Sequence, residues 1–280
     1  MENFLKEIDM LRIMPRRMVI KGGSGIHRGY GRGFSPDFYG HNAYTPGEDI
    51  RKIDWKAYAR TENLYIKEFS EERRMQVSIL LDVSASMDFR GPDKWGTARL
   101  LSIGLSYIAL KQGERLNFFT VSDRLEVLRR NAEGTENFYE LADRLEKLKP
   151  GGITDFTKFS EMNTGNPGMT FVISDFFSGD TEKAINLLCV EGQETVLVHT
   201  LSPSELSPCP GEELKLVDVE TGEILRIHFT DRMKEKYKQK VREFIQNLEG
   251  MCALREVRYV KAATDQAPSK ILQSVLGVYG

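Results

Sequence analysis

Three oxygen-bearing side chains, Asp82, Ser84 and Ser86, stand at alternate positions directly after the apolar residues 77–81. A short apolar run between polar segments predicts a buried strand. In open parallel sheets, ligands collect outside the carboxyl ends of the strands, where loops face a common crevice. A carboxylate and two hydroxyls form part of the oxygen shell that Mg²⁺ prefers. The spacing therefore predicts part of a divalent-cation site, which other loops must complete.

Two later loops carry suitable oxygens. The apolar run 169–173 ends in Ser174 and Asp175, and Thr154 lies in a loop before that run. Thr154 adds a hydroxyl and Asp175 adds a second carboxylate. By itself, the pentapeptide Asp-Val-Ser-Ala-Ser is more often a turn or a helix cap, because Asp and Ser are common in both. The three loops together favour a metal site.

This combination resembles the von Willebrand factor A-type domain, and the match covers residues 76–280. In that family a metal-ion-dependent adhesion site joins D-x-S-x-S after the first strand, a Thr in a later loop and an Asp after the fourth strand. The resemblance implies five metal-site residues, namely Asp82, Ser84, Ser86, Thr154 and Asp175. It also implies that the hydroxyls bind Mg²⁺ or Mn²⁺ directly and the carboxylates directly or through water. A Glu or Asp carboxylate of a protein partner would then fill one open position.

The Thr-bearing loop departs from the family pattern. The usual Gly-Gly-Thr is Gly-Gly-Ile-Thr at residues 151–154, so Thr154 is displaced by one residue. Asp155 is the substitute ligand if the loop is shifted. The alternative for Thr154 and Asp155 is an N-cap of the helix that follows, because both residue types accept hydrogen bonds from the first turn of a helix.

A second distinctive block lies upstream, with YTPGEDIRKIDW at residues 44–55 and NLYIKEF at 63–69. It is similar to the bacterial family of domain of unknown function fifty-eight, in which this block precedes an A-type domain. The resemblance then covers nearly the whole chain. Members often accompany MoxR-type AAA+ ATPases, which implies an adaptor or co-chaperone role. Family members often carry an Arg shortly before the Tyr, where this chain has His41, Asn42 and Ala43.

The residues of this block, taken alone, predict a turn at Pro46 and Gly47 followed by charges interleaved with Ile50, Ile53 and Trp55. Charge-rich turns are usually structural or solvated. The block is therefore interpreted as a salt-bridged brace packed against the main domain, in preference to a separate binding site.

Apolar runs of strand length alternate with amphipathic helical stretches from residue 76 onward. The predicted strands are residues 77–81, 116–121, 169–173, 195–199 and 257–260. This alternation predicts an α/β fold with a doubly wound, mostly parallel sheet flanked by helices. We expect residues 76–280 to form this domain, with a hairpin insertion near 213–229. Residues 1–75 are expected to form a smaller N-terminal region with a Gly-rich loop.

Composition excludes a global attraction to polyanions. The chain has 39 Lys and Arg against 41 Asp and Glu, a formal net charge of −2, so neither nucleic acid nor a membrane surface is an expected partner. The longest apolar stretch, residues 100–110, is about half the roughly 20 residues of a membrane span. The N-terminus lacks a signal-peptide core, and a cytoplasmic location is expected.

Two other functions are alternatives to protein binding. A hydrolase of the haloacid dehalogenase type needs a second Asp as general acid where this chain has Ser84, and a hydroxyl cannot replace it near neutral pH. RNA binding is the alternative for the run from His27 to Phe34, which interleaves cations with aromatic residues. A surface loop is favoured there. The histidines form no catalytic pairing, and His199 is predicted to be buried and hydrogen-bonded. The sequence therefore favours a non-enzymatic binding protein.

Overall fold

The structure, a computed structural model, describes residues 1–16, 38–69, 74–88, 94–162, 168–177, 181–189, 193–207, 213–217, 224–228 and 230–277. The chain divides into two compact units. The larger consists of Met1–Lys21 with Met75–Gly280, and the smaller is Gly22–Arg74. The run from His27 to Phe34, the alternative RNA-binding segment, lies outside the described residues.

The described strands are β1 (Phe38–Ala43), β2 (Tyr65–Phe69), β3 (Gln76–Asp82), β4 (Arg115–Val121), β5 (Leu125–Ala132), β6 (Gly168–Ser174), β7 (Gln193–Leu201), β8 (Glu213–Val217), β9 (Ile224–His228) and β10 (Arg258–Ala263). The described α-helices are α1 (Glu2–Ile8), α2 (Trp55–Thr61), α3 (Lys94–Lys111), α4 (Glu136–Lys147), α5 (Thr181–Leu188), α6 (Pro203–Leu206), α7 (Asp231–Leu254) and α8 (Pro268–Leu276). Short 3₁₀ helices cover Ile50–Lys52, Ala85–Met87 and Phe156–Glu161.

A six-stranded sheet forms the centre of the larger unit, in the order β10-β7-β6-β3-β4-β5. Every neighbouring pair is parallel except β4 and β5, which are antiparallel. The predicted α/β fold with a mostly parallel sheet is confirmed. The interior strands read as apolar runs because helices cover both of their faces. The edge strand β5 was not predicted, because charged and polar residues interrupt its apolar positions.

The sheet has a hydrophobic core on each face. Side chains alternate across β3, so Ile79 and Leu81 join the core that contains α3, α4 and α8, while Leu80 joins the other. The second core is completed by the 3₁₀ helix Phe156–Glu161 together with α5 and α7. This arrangement is doubly wound, and it leaves the strand ends to carry polar loops.

The N-terminal helix belongs to the larger unit. Ile8 and Ile13 are fully buried in the core next to α3 and α8, and the Ile13 amide donates to Gln112 Oε1 at 2.8 Å. The sequence predicts a single N-terminal region over residues 1–75. Within that range, residues 1–16 pack as part of the larger unit, because the buried isoleucines of this segment fill its core.

The smaller unit is built from an antiparallel pair, β1 and β2, and the helix α2. Between them, Pro46 and Gly47 form a turn in which Gly47 has a φ of +110°. Asp49 caps the 3₁₀ helix Ile50–Lys52, and Asp54 caps α2. The charged residues of this block therefore serve local structure. Its packing against the main domain stays a prediction.

Two further features of the larger unit bear on the predictions. Strands β8 and β9 pair antiparallel from Glu213 with His228 to Val217 with Ile224, within the segment where the sequence predicts a hairpin. Of the helices in the described ranges, none combines the length and apolar character needed to cross a lipid bilayer.

Candidate metal centre

Two neighbouring strands end at the candidate site. Strand β3 ends at Asp82 and strand β6 at Ser174, and the two strands are paired in parallel, with Leu81 opposite Ile173. Parallel neighbours bring their carboxyl ends to the same edge of a sheet. Asp82 therefore lies beside the Ser174-Asp175 pair, although 92 residues separate Asp82 from Ser174.

The loop that carries Thr154 is fastened to the loop after β3 by two backbone hydrogen bonds. The Gly151 amide donates to the Val83 carbonyl at 2.7 Å, and the Ala85 amide donates to the Gly152 carbonyl at 3.0 Å. Gly152 has a φ of +80°, in the left-handed region that glycine tolerates best. This turn directs the chain so that Thr154 approaches the end of β3.

Asp82 collects hydrogen bonds from three separate segments. Its Oδ1 accepts from the Ser84 amide at 2.9 Å, and its Oδ2 accepts from the Ser174 hydroxyl at 2.6 Å. The Thr154 hydroxyl approaches Oδ2 to 3.3 Å. Asp82 is only 1% exposed. A buried carboxylate at the end of β3 is therefore contacted by three segments of the chain.

The two serines of the motif also come together. Ser84 Oγ lies 3.0 Å from Ser86 Oγ. Neighbouring ligands around Mg²⁺ are about 2.9 Å apart, given octahedral bonds of about 2.0 to 2.1 Å. The 3.0 Å spacing is that of a hydrogen bond between the two hydroxyls, and it is also compatible with two neighbouring ligands of one Mg²⁺.

Thr154 and its neighbour Asp155 have different roles in the structure. Asp155 Oδ1 accepts from the Thr157 amide at 2.9 Å and from the Thr157 hydroxyl at 2.6 Å, which caps the 3₁₀ helix Phe156–Glu161. These bonds hold the pKa of the Asp155 carboxyl below its usual value. Thr154, rather than Asp155, is therefore the residue of this loop that reaches Asp82.

Asp175 is engaged by a buried lysine. Its Oδ2 accepts from Lys94 Nζ at 2.8 Å, and its Oδ1 accepts from the Phe177 amide at 3.3 Å. Lys94 Nζ also donates to Glu205 Oε1 at 2.7 Å. Lys94, Asp175 and Glu205 are all buried. Sequence reasoning did not single out Lys94 or Glu205, and it named Ser174 without giving it a role.

The electrostatics of Asp82 reflect its surroundings. The pKa of Asp82 is raised to about 6, chiefly because the carboxyl is buried and then because Asp175 lies nearby. Hydrogen bonds from Ser174 and Ser84 act in the opposite direction. Among the described residues, Asp82 forms no ion pair. Within that part of the chain, no cationic side chain is paired with the ionised carboxylate.

His199 lies close to the site on β7. It is fully buried, and its Nδ1 is 2.7 Å from the Tyr259 hydroxyl. Burial is the main reason that the pKa of His199 is lowered to about 4, so the ring is neutral near pH 7. The prediction of a buried, hydrogen-bonded histidine is confirmed.

The residues present fit a hard divalent cation. The Asp82 carboxylate and the Thr154 hydroxyl meet at the end of β3, and the Ser84 and Ser86 hydroxyls lie next to each other in the turn that follows. Oxygen ligands of this kind suit Mg²⁺ or Mn²⁺. Within the part of the chain that the structure describes, no three Cys, His, Asp or Glu side chains form a metal-binding cluster. Direct ligation by the five predicted residues stays a prediction.

Residues 41–246 match the family model described as "Protein of unknown function DUF58". The chain belongs to the DUF58 family. The sequence-based recognition of this family is thus confirmed. The matched range includes the upstream block and all five candidate metal-site residues.

Individual relatives of this DUF58 protein are distant. Uncharacterized protein Rv1480 from Mycobacterium tuberculosis is 21% identical over 203 residues, which cover 69% of this chain and 64% of the relative. The chain therefore spans less than two thirds of the length of the curated relatives that it matches.

Similar solved structures are also distant. An aerotolerance-related membrane protein from Bacteroides fragilis is 15% identical, with a TM-score of 0.44 and coverage of 73% of this chain and 100% of that chain. A von Willebrand factor type A protein from Catenulispora acidiphila is 10% identical, with a TM-score of 0.39 and coverage of 75% and 43%.

Proposed function

We propose that this DUF58 protein is a metal-dependent protein-binding module. Mg²⁺ or Mn²⁺ is held at the end of β3 by Asp82, Ser84, Ser86 and Thr154, with Asp175 beside it. The proposal depends on the Asp82 carboxylate. This carboxylate is buried and accepts hydrogen bonds from neutral groups of three segments, and it forms no ion pair within the described residues. A buried carboxylate is costly unless it is paired or coordinates a metal.

The charge of the surrounding cluster supports a divalent ion. The buried carboxylates of Asp82, Asp175 and Glu205 carry three negative charges when ionised, and Lys94 carries one positive charge. Three negative charges against one positive charge leave a net charge of −2. This excess of negative charge attracts a divalent cation. Among the described carboxylates of the cluster, Asp82 is the one without a cationic partner, so this attraction is centred on Asp82.

The open coordination position is suited to an acidic partner. Hydroxyl ligands leave most of the charge of a cation uncompensated, so a Glu or Asp carboxylate from a partner protein gains a strong bond there. Ile153, next to Thr154, is 49% exposed, and Phe177, two positions after Asp175, is 44% exposed. A partner that reaches the proposed ion would therefore meet apolar as well as polar side chains. The expected partner thus offers an acidic residue with apolar neighbours.

Membership in the DUF58 family supports a cellular role for this module. We propose that it acts as a cytoplasmic adaptor or co-chaperone beside a MoxR-type AAA+ ATPase, and that it binds neither nucleic acid nor membrane. The near-zero net charge agrees with the last point. Catalysis is not part of this proposal, because the site offers a cation and hydroxyls without the general acid of the hydrolase alternative.

Paired pull-downs in Mg²⁺ and in EDTA test this function. We expect a set of captured proteins that EDTA removes, that Asp82→Asn no longer captures and that Asp54→Asn still captures. Asp54 is a matched control, since it is also a buried aspartate but caps α2 in the smaller unit, and Asn is an equally good cap. Equal capture in EDTA, or by Asp82→Asn, would rule out a metal bridge.

A further inference from the structure

We infer that Lys94 is a positioning residue that pairs with the Asp175 carboxylate, so that this carboxylate does not compensate the charge of the proposed metal ion. The ion therefore keeps its attraction for a partner carboxylate. This inference rests on the proposed metal site and concerns how that site divides its charges.

The geometry places the Lys94 ammonium between two carboxylates. Lys94 begins α3 and is 1% exposed, which is rare for a lysine. Its Nζ lies 2.8 Å from Asp175 Oδ2 and 2.7 Å from Glu205 Oε1. The Phe177 ring centroid lies 5.6 Å from the same nitrogen, within the range of a cation–π contact. The ammonium is therefore enclosed on several sides.

Both carboxylates are held by their own segments. Glu205 Oε2 accepts from the Ser202 amide at 2.8 Å, and the Ser202 hydroxyl accepts from the Glu205 amide at 3.2 Å, which forms a capping box at α6. Asp175 Oδ1 accepts from the Phe177 amide. Each carboxylate thus has one oxygen on its own backbone and one on Lys94. Asp175 cannot turn toward the end of β3 without giving up its bond to the ammonium.

Charge explains what this arrangement achieves. Asp82 and Asp175 lie close together, because the hydroxyl of Ser174, the residue before Asp175, donates to Asp82 Oδ2 at 2.6 Å. Two unpaired carboxylates beside a divalent cation would neutralise it and remove its attraction for a third. Lys94 pairs with Asp175, so among the described carboxylates of this cluster only Asp82 stands beside the proposed ion without a cationic partner. Buried ion pairs seldom add net stability compared with apolar residues, which favours a role in the site over a role in stability.

The sharpest test changes the pairing without changing the net charge. The double variant Lys94→Met/Glu205→Gln removes one positive and one negative charge, so the cluster keeps its net charge of −2 while Asp175 loses its ammonium. Titration calorimetry with Mg²⁺ on the full chain should show binding about tenfold or more tighter than wild type. Equal affinity would mean that only the net charge matters, and it would overturn the inference.

Asp175→Asn in both backgrounds completes a double-mutant cycle. We expect it to weaken Mg²⁺ binding by about threefold or less in wild type and by at least about tenfold in the double variant. Equal losses would overturn the inference. So would a tenfold loss in the wild-type background, which is measurable even if the double variant does not fold. Absence of Mg²⁺ binding to every protein, wild type included, would instead overturn the proposed function itself.

Discussion

Two buried aspartates, one in each unit, use their carboxylates differently. Asp54 Oδ1 accepts from the amides of Lys56 and Ala57, two and three residues further along. These two bonds within its own turn make Asp54 a helix cap. Asp82 accepts from Thr154 and Ser174, which lie 72 and 92 residues further along the chain. A carboxylate that accepts hydrogen bonds from distant loops lies where those loops meet, and a bound cation can take the place of the hydrogen-bond donors there.

The surrounding charges differ in the same way. In the smaller unit, Asp49 pairs with Arg51 across two positions, and the Thr45 amide donates to Glu48 across three. These residues are exposed, so such contacts contribute little to stability. At the candidate metal centre, Lys94 bonds to Asp175 and Glu205 from 81 and 111 positions away, and all three are buried. Polar residues of similar type thus support a turn in one unit and a site in the other.

The largest difference between the two units should appear in stabilisation by Mg²⁺. An ion that binds only the folded state stabilises it by about 2.7 kcal/mol at a concentration a hundred times the dissociation constant. We expect this gain, measured by thermal unfolding in Mg²⁺ and in EDTA, for wild type and for Asp54→Asn. Asp82→Asn should show none. A gain in Asp82→Asn equal to that of wild type would remove the contrast between the two aspartates.

A smaller effect should separate Thr154 from Asp155. Thr154→Val keeps the shape of the side chain but removes a hydroxyl from the candidate shell, so Mg²⁺ binding should weaken about tenfold, or about 1.4 kcal/mol. Asp155→Asn keeps the cap of the 3₁₀ helix and should change binding by less than about threefold. The Mg²⁺ affinities of both variants, measured by calorimetry, decide which of the two residues is the ligand. The reverse ranking would make Asp155 the ligand.

The smallest effect concerns the glycines that turn the two polar segments. Gly152 and Gly47 both have positive φ, so alanine at either position should destabilise the protein by about 1 kcal/mol. A Cβ at Gly152 would also lie 3.3 Å from Asp123 Oδ1, whereas nothing lies within 4 Å at Gly47. Gly152→Ala should therefore weaken Mg²⁺ binding a few-fold, and Gly47→Ala should not change it. If both variants changed Mg²⁺ affinity equally, the turn at Gly152 would have no specific role in the metal site.

Sequence predicted the fold where burial is continuous along the chain. The apolar runs 77–81 and 169–173 became the strands Gln76–Asp82 and Gly168–Ser174, because parallel strands covered on both faces contain few polar residues. Strand β5 was not predicted, since charged and polar residues such as Arg129, Arg130 and Asn131 interrupt its apolar positions. The segment 1–16 was assigned to the N-terminal region because its short amphipathic pattern does not indicate which surface its apolar side chains pack against.

The candidate site was predictable only in part for a related reason. Asp82, Ser84 and Ser86 are neighbours in sequence, so their spacing alone suggests the chemistry. Lys94 looks like an ordinary polar residue at the start of a helix, and only the folded chain shows that it is buried beside Asp175. The sequence does indicate the capping box that Glu205 forms with Ser202. The capping box explains the role of Glu205 Oε2, but it does not predict that Oε1 accepts from Lys94.

The central claim is that the oxygens at the end of β3 bind a divalent cation, and calorimetric titration of the EDTA-treated full chain with Mg²⁺ tests it most directly. The account predicts a single class of sites, one ion per chain, that is present in Asp54→Asn and absent in Asp82→Asn. Heat of binding that is missing in wild type, or that persists unchanged in Asp82→Asn, would contradict it.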